Sequence, residues 1–64
     1  MNRDEAITTI GQQATEELKQ TFSRFFKAMA SGDRKAPDEF EEGYKLLQTS
    51  HNKAVEIIIK IHQE

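Results

Sequence analysis

The stretch Ala54-Val55-Glu56-Ile57-Ile58-Ile59-Lys60-Ile61 constrains this chain more than any other. Its β-branched side chains, Val55, Ile57, Ile58, Ile59 and Ile61, have to be covered by something, and the rest of the chain reads as the cover. Two periods compete. With period two, Val55, Ile57, Ile59 and Ile61 share one face, which is a strand signal. With a helical period, Ala54, Ile58 and Ile61 line one face, Ile57 flanks it on one side, and Val55 and Ile59 flank it on the other. Glu56 and Lys60 then stand four residues apart in the favourable order for a helical ion pair.

Context selects the helix. Phe40, Gly43, Leu47, Ala54, Ile58 and Ile61 continue one stripe at spacings near three and four, and no Gly or Pro separates Leu47 from Ile61. A strand would also need a second strand-like run to pair with, and the chain has none. The β-branched residues cost a few tenths of a kcal/mol each in helix propensity. Burial of one Ile returns roughly 1.5–3 kcal/mol, so packing decides.

Upstream, Asn2 and Glu5 have the spacing of a capping box, and Asp4 and Glu5 suit the positive end of a helix. Ile7, Ile10, Ala14, Leu18, Phe22, Phe25 and Met29 form its apolar stripe, with Phe26 at the edge. Eleven-residue spacings (Ile7, Leu18, Met29; Ala14, Phe25) keep that stripe nearly straight on an α-helix, which predicts a packed bundle rather than a long heptad coil. Ala30-Ser31-Gly32 ends the helix, with Gly32 suited to the left-handed position after its last turn. Asp33 to Ala36 form a short polar connection, and Pro37 fits the first turn of a second helix.

The chain therefore predicts an all-α, antiparallel two-helix hairpin as a single domain: helix over about 3–31, turn over about 32–36, helix over about 37–62. The expected register sets Met29 against Phe40, Phe25 and Phe22 against Tyr44 and Leu47, Leu18 against His51, Ala14 against Ala54, and Ile7 against Ile61.

One hairpin is one layer of contact, and Phe26, Tyr44, Val55 and Ile59 stay partly uncovered in it. A second hairpin completing a four-helix bundle is the simplest remedy, and a different protein supplying the missing surface is the other. The candidate contact residues are Phe26, Tyr44, Val55, Ile58 and Ile59. At 64 residues without a cysteine, the chain is near the lower limit for a self-sufficient core and has no disulfide or thiolate metal site to staple it. No stretch is apolar enough for a membrane span, and Met1-Asn2-Arg3-Asp4-Glu5 opens no secretory signal, so a cytoplasmic protein is expected.

No reaction is written in these residues. His51 and His62 lie eleven residues apart, roughly 16 Å along a helix, too far to share a metal within one chain. Asp38, Glu39, Glu41 and Glu42 match no calcium loop and read as complements to a helix dipole and to Arg24, Lys27, Arg34 and Lys35. Ser and Thr residues stand in no nucleophile or phosphate-loop context. No catalytic residue, cofactor or metal is expected. Phe22, Phe25 and Phe26 beside Arg24 and Lys27 leave a second reading open, a dimeric hairpin that stacks on nucleic acid. The net charge of −2 argues against a general nucleic-acid binder.

Ser31-Gly32-Asp33 followed by Phe40-Glu41-Glu42-Gly43-Tyr44-Lys45-Leu46-Leu47 is similar to the turn and second helix of exodeoxyribonuclease VII small subunits. The likeness covers under a third of the chain; the connection is shorter here and the first-helix pattern differs. In size and pattern the chain also resembles the small helical-hairpin co-chaperones of type III secretion needles. Both resemblances imply a non-catalytic helical partner, a regulator, adaptor, co-chaperone or accessory subunit, that lends an apolar face to another chain.

Overall fold

The structure, a computed structural model, describes residues 1–63. It consists of two α-helices, α1 (Arg3–Ala30) and α2 (Ala36–Ile61), folded back on each other as a hairpin. The isoleucine stretch is helical throughout. α1 begins where the side-chain oxygen of Asn2 accepts the Glu5 N–H at 2.8 Å, satisfying one of the free donors of the first turn.

The reversal is made by a tight cap. The Gly32 N–H donates to the Met29 carbonyl and the Asp33 N–H to the Ala28 carbonyl, the double bond pattern of a Schellman motif. Gly32 takes φ +83°, a conformation costly to any residue with a Cβ. Asp33 then turns the chain upward: its carboxylate accepts the Lys35 N–H at 2.9 Å and its carbonyl accepts the Ala36 N–H at 3.3 Å. α2 thus starts at Ala36, one residue before Pro37, and Ala36 tucks in beside Ala28 and Phe25. It is only 3% exposed and is the one buried residue among those described.

The helices pack with Phe25 on Phe40, ring centroids 4.8 Å apart, and Thr21 against Gly43. Ala14 shares a hollow with Leu47, His51 and Ala54, and Ile10 lies at Ala54. This register differs from the expected one by about one helical turn: Phe40 meets Phe25, not Met29. The cause is at the turn. The Schellman cap and the early start of α2 bring Ala36 level with Ala28, so each α2 residue sits further towards the loop-distal end of α1 than the apolar stripes alone suggest. Consequently Met29 overhangs at the loop end and Ile61 at the open end; Ile61 is 70% exposed rather than set against Ile7.

The molecule is long and thin, with Cα extents of 52 × 16 × 8 Å. Its radius of gyration is 15.0 Å, against about 11 Å for a compact domain of this length. Every apolar residue of the seam other than Ala36 is half-buried or exposed. Among the described residues the ion pairs, Arg3–Asp4, Lys19–Glu16 and Lys45–Glu41, are all on the surface and all local. They add little to stability.

Candidate protein-interaction face

A two-helix layer has two broad faces, and here they differ. On one, Gly11, Thr15, Leu18, Tyr44, Gln48 and His51 surround a hollow of about 290 Å³. On the other, Thr21, Arg24 and Glu39 line the loop end, and Gln13, Glu17 and Ser50 line the middle. The first face carries the exposed aromatic residues. Phe22 and Phe26 continue the row of Gly11, Thr15 and Leu18 at helical spacing, and Tyr44 lies across from them.

Five rings form one connected group. Phe22 lies 6.3 Å from Phe25, 6.5 Å from Phe26 and 6.4 Å from Phe40, and Phe40 lies 6.3 Å from Tyr44. Phe25 and Phe40 are the inner, half-buried members. Phe22, Phe26 and Tyr44 are the outer ones, and Phe26 is 64% exposed. Tilted and edge-on rings at these separations attract each other, which holds the outer rings in place while leaving their faces in water.

The expected contact residues fall into two groups. Phe26 and Tyr44 stand at the loop end with Phe22. Val55, Ile58 and Ile59 stand near the open end. Tyr44 and Val55 are eleven residues apart and therefore point the same way from α2, with Ile59 one turn on. Ile59 is exposed, at 39%, and Val55 is half-buried at the edge of the seam. Ile58, also half-buried, continues the inner stripe of Leu47 and Ala54 at helical spacing. Between the groups lies a polar waist of Thr15, Gln48 and Asn52, all exposed.

Three exposed apolar residues of α2 lie outside the contact candidates: Leu46, Ile57 and Ile61. They form a narrower row on the other flank of α2. The signal was present, since Leu46 and Ile57 are eleven residues apart and Ile61 is one turn further. The apolar stripe of α1 places Phe22 and Met29 in the seam, and both are exposed instead, Met29 because of the shifted register.

The polar candidates stay apart. His51 lies in the seam beside Leu18 and Leu47, and His62 ends α2 in the open. No three His, Asp or Glu side chains converge among the described residues. Arg24 sits on the face opposite Phe22 and Phe26, where it reaches Thr21 at 3.4 Å. No helix among the described residues is long and apolar enough to cross a membrane.

Compared with protein-family models, with curated proteins and with solved structures, the chain gives no match.

Proposed function

We propose that this protein is a non-catalytic helical interaction module whose work is done by contact between its aromatic face and another protein surface. The single observation that carries the reading is that face: three outer rings, held by two inner ones, stand in water on a molecule with almost no closed core. An exposed apolar patch of this kind on a soluble helical scaffold marks a binding surface. Tyr and Phe are also enriched at interface cores. The roles that fit are those of a small regulator, adaptor, co-chaperone or accessory subunit, in a cytoplasmic setting.

The test is Ile59→Asp. It places a charge on the face at an exposed position, so the hairpin keeps its helices. Assembly or partner binding at micromolar concentration is expected to be lost, read by light scattering and by co-purification, with circular dichroism unchanged. Full assembly in that variant would show that the face is not the contact.

A nucleic-acid-binding hairpin is the second reading, including a role as accessory subunit of a nuclease complex. The exposure of Phe22 and Phe26 favours it, since exposed rings can stack on bases. The placement of Arg24 on the opposite face speaks against it. It predicts binding to RNA or DNA that weakens steeply with salt, with Arg24, Lys27, Arg34 and Lys35 as the phosphate contacts. No binding to single- or double-stranded RNA or DNA at low salt would end it.

A further inference from the structure

We infer that the occupant of the aromatic face is a second copy of this chain, laid face to face with its loop at the opposite end of the bundle. The inference rests on the interaction reading above and names the partner. The chain exposes 5352 Å², whereas a folded monomer of 7.4 kDa is expected to expose about 4,200 Å². The surplus is about 1,100 Å² per chain. Two copies burying that much against each other make an interface of about 2,200 Å², the size at which obligate homodimers begin.

Large and small residues are arranged along the face in a self-complementary order. On α1 the row runs Ile7, Gly11, Thr15, Leu18, Phe22, Phe26, at spacings that read the same in both directions. One half is slim at its centre and the other is bulky. A two-fold axis across the middle of the hairpin lays α1 antiparallel on α1 of the partner subunit. Phe22 then lies over Gly11 of the partner subunit, and Leu18 over Thr15 of the partner subunit. No atom would lie within 4 Å of a Cβ on Gly11, and the hollow beside it is open to that face. Phe22 therefore meets open space at Gly11 on both sides of the axis, as interdigitated packing requires, and Phe26 lies over Ile7 of the partner subunit as an apolar contact at each end of the row. Setting the two loop ends together instead would stack ring on ring at one end and leave the Gly11 end hollow.

α2 has the same property. Its row of Tyr44, Gln48, Asn52 is symmetric about Gln48, which lies level with Thr15 and Leu18 at mid-length. Under the same axis Gln48 meets its own copy, an amide pair that can satisfy both partners, and Tyr44 reaches Asn52 of the partner subunit. The polar waist thus becomes the register mark of the dimer.

The absence of cysteine makes the test clean, because each single substitution carries the only thiol. Molar mass is measured by light scattering across the micromolar range, and two variants, Gln48→Cys and Met29→Cys, are treated with a short thiol-specific cross-linker. The expected result is about twice 7.4 kDa, with efficient cross-linking through Gln48→Cys and none through Met29→Cys. The Met29 positions of the two copies are then roughly 38 Å apart along the bundle. A third variant, Gly11→Gln, is a better helix former than glycine but fills the space Phe22 needs, and is expected to weaken the dimer at least about tenfold. Cross-linking through Met29→Cys, or an unchanged dimer in Gly11→Gln, overturns this arrangement. A monomer throughout overturns the second copy as occupant. Binding of an apolar dye separates the two levels: a monomer that takes up the dye still offers the face to a different protein, and one that does not ends the interaction reading as well.

Discussion

Two residues set the backbone of this molecule by means that owe nothing to its core. Asn2 caps α1 through one hydrogen bond, and Asn2→Ala is expected to cost about 1 kcal/mol in urea unfolding. Gly32 holds the left-handed turn, so Gly32→Ala is expected to destabilise by about 1–2 kcal/mol while leaving both helices formed. Gly43 has the opposite outlook. It is helical, and a Cβ there meets the Thr21 methyl at 3.4 Å, an ordinary contact. Gly43→Ala therefore gains helix propensity without a clash and is expected to raise stability by somewhat under 1 kcal/mol. The first two roles are legible in sequence, because capping and left-handed glycine depend on chemistry within four residues. The third is not, since only the packing shows whether the seam has room.

At the scale of the elements, each helix carries more apolar surface than one neighbour can cover. The aromatic row and the Leu46, Ile57, Ile61 row lie on different flanks of the hairpin. If the aromatic face alone makes the contact, Leu46→Lys leaves the assembled mass unchanged in light scattering, whereas Ile59→Asp removes assembly. The helical nature of the isoleucine stretch was readable because its stripe continues from Phe40 and because no second strand exists to pair with it. The register was not. A short connection with a second helix starting at Pro37 implies Met29 on Phe40, and the geometry of the Asp33 turn sets Phe25 there instead. A one-turn shift keeps the same azimuths on both helices, so hydropathy patterning is nearly blind to it.

At the scale of the whole molecule, an 8 Å-thick layer of Cα atoms has an outside on both sides and no interior. The local surface ion pairs give it no charge network to rely on. In the proposed dimer stability is tied to association, and the thermal midpoint is then expected to fall by a few degrees with each tenfold dilution, since that dilution removes about 1.4 kcal/mol from a dimer. The check is circular dichroism melting across the micromolar range; a midpoint independent of concentration would mean the hairpin stands on its own contacts. Helix identity, the position of the reversal and the surplus of apolar side chains all follow from the sequence by itself, because periodicity, caps and glycine act locally. That Phe22 is an outer ring, and that Met29 and Ile61 face water at the two ends of the seam, were decided only by the tertiary structure. The physical reason is that burial depends on the register between two helices, and a few hydrogen bonds at Gly32 and Asp33 set that register for the full length of both.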